Sequence, residues 1–335
     1  MTKRENFKNG KGRQRKLLAF LNEEVESLIR KNKLGLAENY LSSGRSLQGY
    51  LGAVQKRDIS LRKVDEEFLM GYQHWLLDRG VVRNTAVFYM RNLHAVYNKA
   101  VAQRLVPDTR PFVRVQTNIT HTEKRAVTPD LIRNICALDI RAGLVELGQD
   151  PTKKPFVRMC RELTFARDTF IFCFCARGLT FVDFAYLKPG DIRRGSIVYD
   201  HRKTEQHIEV EILPQMRDFI EAYGAQEGPY LFLVLTSTDV TEAHRQYNTA
   251  LRRYNKHLKK ISRMLGLDVS LTSYVSRHSW ATAAYHADMP MPYISEAMGH
   301  TSENTTRIYL KSLDKSEIDK ENKRLLDGIF KLTLF

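Results

Sequence analysis

The chain has little that would crosslink it, carry it into lipid or keep it unfolded. Its 335 residues hold four cysteines, Cys136, Cys160, Cys173 and Cys175, with no C-x-x-C pair among them. The spacing suggests no zinc site, and free thiols in a reducing compartment are expected. Cys173 and Cys175 fall inside an apolar segment, where cysteine behaves as a small buried hydrophobe. With 18 Gly and 10 Pro the chain is neither collagen-like nor of low complexity, and at 43% hydrophobic it is not disordered throughout. The longest uninterrupted apolar run, Phe170–Ala176, is far short of the roughly 20 residues of a membrane helix. Residues 1–16 are polar and lack the apolar stretch of a signal peptide. No membrane partner is therefore expected, and the cytoplasm is the expected location. The scarcest property is acidity: 53 Lys and Arg stand against 38 Asp and Glu, a net charge of +15. A positive field of that size favours a polyanionic partner, nucleic acid foremost.

The length suggests two domains. Residues 1–16 form a basic arm, a phosphate-seeking strand or a solvated end, in which Lys3, Arg4, Lys8, Lys11, Arg13, Arg15 and Lys16 face only Glu5. Residues 17–105 read as a helical domain of four or five helices. Asp65 is placed as an N-cap for a stripe of Phe68, Leu69, Tyr72 and Leu76 that ends at Gly80, and Asn84 as the cap of the next helix. Pro107, Pro111 and the polar run 117–124 break the periodicity, so 106–126 is expected as an extended linker lying along phosphates. Residues 127–327 form the second domain, with helical patterns over 129–145 and 159–177. Strands are expected over Ser196–Arg202 and His207–Ile212, where Ile208, Val210 and Ile212 alternate with Glu209 and Glu211. A helix at about 316–327 and an apolar tail, 328–335, complete the chain.

The most specific text lies late. Leu271–Thr282 contains Tyr274, Arg277, His278 and Trp280; Gly299-His300 follows, and then Tyr309 nine residues after His300. Upstream stands Arg177-Gly178-Leu179-Thr180-Phe181-Val182-Asp183, followed by the Lys203 hairpin. In order and spacing these resemble the tyrosine recombinase, or phage integrase, family across nearly the whole chain. The resemblance implies a mainly α protein with a small β-sheet: an N-terminal helical, SAM-like core-binding domain and a mixed α+β catalytic domain. It implies a site-specific recombinase that clamps duplex DNA, cleaves it through a 3′-phosphotyrosyl intermediate and rejoins it without ATP. Four protomers would assemble on two target sites from monomers in solution, with a DNA-bending accessory protein as a further partner. No cofactor or metal is expected, and the implied setting is bacterial cytoplasm, nucleoid-associated when bound to DNA.

The chemistry asks for the residue types present. Breaking a phosphodiester without a metal needs a nucleophile, positive charge for the developing oxyanions and an acid for the leaving oxygen. The resemblance assigns the attack to Tyr309, phosphate binding to Arg177, Arg277 and His300, and protonation of the leaving 5′-oxygen to Lys203. His300 would bond the phosphate or assist proton transfer, and Arg202 competes with Lys203 for the acid. Asp183 matches an acidic position that supports the site. Two departures stand out. The family's first box usually reads T-G-L-R; here the arginine is Arg177, and Thr180 occupies its ordinary slot. If both lie on one helix, they are about one turn apart, and Arg177 can reach the same phosphate. A subset of bacterial integrases and invertases carries the same R-G-[LM]-x-F-x-D box. Tyr274 stands where H-x-x-R has its first histidine; a phenol donates a hydrogen bond but is no base at neutral pH. These departures motivate the alternative, a catalytically degenerate DNA-binding protein of the same fold.

Overall fold

A computed structural model describes residues 15–115, 117–118, 126–268 and 270–310, together with Lys323 and Leu326; for residues 308–310 it describes the backbone alone. The basic arm up to residue 14, the tail 328–335 and nearly all of the helix expected at 316–327 lie outside the described residues. The chain divides into two compact units, Met1–Thr122 and Glu123–Phe335.

The first unit holds α1 (Leu17–Arg30), α2 (Leu34–Ala53), a 3-10 turn (Leu61–Lys63), α3 (Glu66–Asp78) and α4 (Arg83–Ala102). Asp65 caps α3 by accepting from the Phe68 N–H at 2.8 Å, and Glu66 and Glu67 sit in the first turn, where the helix dipole favours them. Leu69, Tyr72 and Leu76 are buried and Phe68 is half-buried, the stripe that 3–4 spacing dictates. α4 starts two residues earlier than expected: Val82 is the N-cap, without a side-chain bond, and Asn84 lies inside the first turn. The segment expected as linker begins as core. Val106, Phe112 and Val115 are buried with α1–α4, Phe112 stacks on His94 with ring centroids 4.5 Å apart, and the Tyr97 hydroxyl donates to the Pro107 carbonyl at 3.1 Å.

The second unit begins with α5 (Pro129–Ala137) and α6 (Ile140–Glu146), which the sequence periodicity ran together. They part at Asp139, whose carboxylate accepts from the Arg141 and Ala142 N–H groups and caps α6. The long α7 (Lys154–Cys175) is the spine, burying Leu163, Ala166, Phe170 and Cys173 on one stripe and packing against α5 and α6. After α8 (Phe181–Tyr186) come β1 (Ile192–Arg193), β2 (Ser196–Asp200) and β3 (His207–Glu211), an antiparallel sheet in the order β1-β2-β3. Arg194 and Gly195, at φ 48° and 81°, make the tight turn between β1 and β2. Ile197 pairs with Val210 and Tyr199 with Ile208, so one face is apolar while Glu209 and Glu211 face solvent. The strands end at Asp200 and Glu211, short of the expected Arg202 and Ile212; His201–Gln206 form the connecting turn. α9 (Pro214–Tyr223), α10 (Val240–Met264), α11 (Ser273–His286), α12 (Met291–Ala297) and α13 (Glu303–Leu310) follow, with α10 and α11 packed on α7. The protein is mainly α with one small sheet.

Candidate active site

The Arg177 box is a chain reversal. α7 stops at Cys175, Arg177 and Gly178 both take left-handed backbone at φ 56° and 73°, and the Leu179 N–H bonds back to the Cys173 carbonyl at 3.0 Å. Thr180 then caps α8, its hydroxyl accepting from the Asp183 N–H at 3.3 Å and donating to the Asp183 carboxylate at 2.5 Å. Arg177 and Thr180 are therefore not one turn apart on a common helix, as the sequence suggested; a turn separates them. A left-handed arginine followed by glycine ends the helix two residues short of the expected 177, and helical periodicity does not encode that backbone angle. Arg177 is half-buried and donates to the Glu209 carbonyl on β3 at 3.2 Å. Thr180 is buried with its hydroxyl committed to Asp183. Gly178 is required twice, for its positive φ and because a Cβ there would stand 3.0 Å from the Cα of Arg277.

That contact brings the first box to the second. Arg277 is the fifth residue of α11 and is 3% exposed. Its guanidinium donates to the Gly178 carbonyl at 2.8 Å, to the Met298 carbonyl, and to His300 Nε2 at 3.2 Å. These bonds occupy three of the five N–H groups an arginine carries. Gly299, at φ 64°, ends α12 and turns the chain so that the His300 N–H bonds the Ser295 carbonyl. A guanidinium cannot accept, so His300 Nε2 is the acceptor and Nδ1–H donates to the Thr306 hydroxyl, 2.8 Å away. Burial first, then the positive charge of Arg277, with a smaller contribution from Lys203, holds the His300 pKa down at about 4. His300 is thus neutral at physiological pH. Thr306 is fully buried on α13, which also carries Tyr309 three residues further on; the Tyr309 side chain lies outside the described residues.

The hairpin closes the third side. Lys203 is exposed on the turn between β2 and β3, and the Thr204 hydroxyl donates to the Gly299 carbonyl at 2.9 Å. Arg202, the competing candidate, lies over the Tyr186 ring, 3.8 Å from its centroid. Tyr274 sits in the first turn of α11, 50% exposed, its ring 6.2 Å from that of His278. Asp183 is 2% exposed and accepts from Thr180 and from the Arg202 N–H at 2.9 Å.

Comparison with known proteins decides what this constellation belongs to. Residues 16–115 match the phage integrase SAM-like domain, and residues 174–316 match the phage integrase family. The chain belongs to the tyrosine recombinases of the phage integrase family. A tyrosine recombinase of Agathobacter rectalis is 36% identical over 52 residues, a match spanning 16% of this chain and only 17% of that protein. The tyrosine recombinase XerD of Oceanobacillus iheyensis is 20% identical over 282 residues, 82% of this chain and 88% of its own. Among solved structures, a lambda integrase tetramer bound to a Holliday junction superposes with a TM-score of 0.61 at 14% identity, covering 89% of this chain and 78% of that one. At that identity the superposition speaks for the fold.

The recombinase thus draws four separated stretches of sequence to one place: the Arg177 turn, the Lys203 hairpin, Arg277 on α11 and His300 beside the helix of Tyr309. Sequence reasoning missed four parts of it. The carbonyls of Gly178 and Met298 hold Arg277, and backbone groups have no signature in side-chain identity. Thr306 has no signal in the sequence beyond lying three residues before Tyr309. His201, 4% exposed, had a signal: it continues the inward alternation of Ile197 and Tyr199 along β2. Among the described residues no cluster of His, Cys, Asp or Glu could hold a metal ion, and no helix is long and apolar enough to cross a membrane.

Proposed function

We propose that the protein is a site-specific recombinase in which Tyr309 attacks a DNA phosphodiester under the charge of Arg177 and Arg277. The observation that carries this reading is the chain of bonds from Arg277 through His300 to Thr306, which ties the buried guanidinium to the helix of Tyr309. The Tyr309 oxygen forms a bond to phosphorus, the bond from phosphorus to the 5′-oxygen breaks, and Lys203 gives the departing oxygen its proton. His300 is neutral, with Nε2 accepting from Arg277 and Nδ1 on Thr306, so it serves the step by linking the guanidinium to the helix of Tyr309, and it reaches a phosphate or a proton only when the Nε2 bond to Arg277 yields. The 3′-phosphotyrosine keeps the bond energy, so a second 5′-hydroxyl can reverse the step. Arg277 is pre-held by two carbonyls and does not reorganise when negative charge develops, where such a donor contributes most. Thr180 and Asp183 support the turn, and Tyr274, exposed beside the site, stands ready to donate to a phosphate. Duplex DNA is the partner of both units, and four copies on two sites form the working assembly from monomers, with a DNA-bending protein as accessory. The net charge of +15 suits that polyanion, and the bacterial cytoplasm is the location this reading proposes.

The test is capture of the intermediate. The protein is incubated with sheared DNA from its source, denatured, and the covalently attached DNA is sequenced while the modified peptide is mapped by mass spectrometry. DNA on Tyr309, joined at one recurrent sequence, is the expected result. Tyr309→Phe abolishes the adduct and leaves DNA affinity unchanged, because many phosphate contacts and not one hydroxyl supply affinity. An adduct that survives Tyr309→Phe moves the nucleophile elsewhere. Binding without any adduct from the unaltered protein favours the degenerate DNA-binding reading.

A further inference from the structure

The turn that carries Lys203 is held from below by a buried histidine. His201 is 4% exposed, and its Nδ1 accepts the backbone N–H of Lys203 at 3.2 Å. Accepting at Nδ1 fixes the neutral tautomer, with the proton on Nε2 facing the Asp183 carboxylate 3.6 Å away. Asp183 is itself fixed by the Thr180 hydroxyl, and its other oxygen accepts the Arg202 N–H. Both N–H groups of the Arg202-Lys203 dipeptide thus end on one buried pair. The backbone of His201 closes the same turn, donating to the Gln206 carbonyl at 2.8 Å and accepting from Thr204 and Glu205. On its far side the imidazole packs under the His300 loop: a Cβ at Gly299 would lie 3.4 Å from His201 Cδ2. Thr204 bonds the carbonyl of that same glycine.

We infer that His201, oriented by Asp183, is a positioning residue that sets the Lys203 amine against the Gly299-His300 loop. The inference rests on the assignment of Lys203 as the acid. A lysine has four rotatable bonds and an exposed one samples many positions. Anchoring its N–H, and docking its turn on the loop that holds His300, restricts where the amine can travel. The cost is a histidine and a carboxylate taken out of water, which only a paired and hydrogen-bonded arrangement offsets.

The two ring nitrogens can be tested apart. Asn places an acceptor near Nδ1, so His201→Asn keeps the bond to the Lys203 N–H. Gln reaches toward Asp183 and leaves that N–H without an acceptor. The probe is the duplex recovered by adduct capture, made with oxygen or with sulfur at the scissile 5′ position. With sulfur the phosphorus–sulfur bond breaks to a thiolate, which leaves without needing a proton. Lys203→Ala and His201→Gln are expected to cleave the oxygen duplex about 100-fold more slowly and the sulfur duplex at close to the unaltered rate. His201→Asn should stay within about threefold on oxygen. Amide exchange of Lys203, read without DNA, should be slow in the unaltered protein and in His201→Asn and fast in His201→Gln. His201→Gln cleaving oxygen normally, or remaining slow on sulfur while Lys203→Ala recovers, overturns the inference. If Lys203→Ala itself fails to recover on sulfur, the acid assignment falls and the inference with it. Should the His201 variants not fold, Thr204→Val cuts only the bond to Gly299; a loss of about tenfold on oxygen, restored by sulfur, supports the inference, and a loss on both substrates overturns it.

Discussion

The two units of this recombinase solve burial in opposite ways. Among the described residues, the helical unit buries no charged side chain: besides the hydroxyls of its tyrosines, only Ser43 and Ser60 are buried polar groups. The catalytic unit buries Asp183, His201 and Arg277, with a shell of serines and threonines. The first is held mainly by apolar area, which has no demanding geometry. The second spends part of its stability on ionisable groups whose geometry matters more than their burial. A buried Arg277 with two carbonyls and a histidine is a poor way to stabilise a fold and a good way to hold a cation still.

The chain offers a reporter for each side. Its two tryptophans are Trp75 on α3 and Trp280 on α11, so Trp75→Phe or Trp280→Phe leaves one tryptophan, excited apart from the tyrosines, in one unit. The largest effect on stability is expected in the helical unit. Leu47 is fully buried, and Leu47→Ala should cost about 2–5 kcal/mol, read as a fall in the denaturant midpoint at Trp75. Folded Leu47→Ala protein should cleave bound DNA at the unaltered rate. A slower cleavage step with the Trp75 midpoint unmoved would break the division drawn above.

Next in size is Arg177→Ala, which should slow single-turnover cleavage about 100-fold, roughly 2.7 kcal/mol of transition-state stabilisation. Arg177 is half-buried and makes one 3.2 Å bond to a carbonyl, so the Trp280 midpoint should move little. The reverse pattern, a lower midpoint with normal cleavage, would make Arg177 a brace for β3.

Acid should distinguish the units more gently. His201, His257 and His300 in the catalytic unit all have pKa values lowered by burial, against His94 alone in the helical unit. A histidine whose folded pKa lies below its ordinary value binds its proton more readily when unfolded. Stability is therefore unaffected above about pH 6.5 and falls as the pH drops from there toward the folded value, about 4 for His300. Unfolding midpoints at pH 7.5, 6.0 and 5.0 should decline faster at Trp280 than at Trp75. Parallel declines would mean that the buried histidines of the catalytic unit do not set its acid sensitivity.

The same contrast explains what could be read from sequence. The helical unit was legible because its structure is periodicity: Leu69, Tyr72 and Leu76 announce a face, and Asp65 announces its start. Its misreadings were local. Asn84 resembles a cap but sits two residues past the true cap, Val82, and Phe112 and Val115 looked like linker because two prolines interrupt the pattern that would have marked them as core. The order of the chemical boxes was equally plain, from Arg177 to Tyr309. What joins them was not. Arg277 is held by carbonyls that any residue could supply, and the turn at Arg177 depends on a backbone angle that helical spacing does not encode.

The smallest predicted effect decides between Arg177 and Thr180. If Thr180 served the phosphate in the slot where the family usually has arginine, its hydroxyl would have to face the site. Instead that hydroxyl lies between the Asp183 N–H and the Asp183 carboxylate, at the start of α8. Loss of such a cap costs about 1 kcal/mol. Thr180→Ala should accordingly lower the Trp280 midpoint slightly and leave cleavage within about threefold of the unaltered rate, since Asp183 keeps the Arg202 N–H and His201. Thr180→Ser, which retains the oxygen, should restore the midpoint. A hydroxyl has no charge with which to offset a phosphorane-like transition state, so cleavage that collapses in Thr180→Ala while the midpoint holds would require Thr180 to leave Asp183 when DNA binds. The midpoint and the single-turnover rate, taken from one preparation, separate a residue that braces the turn from one that touches the phosphate.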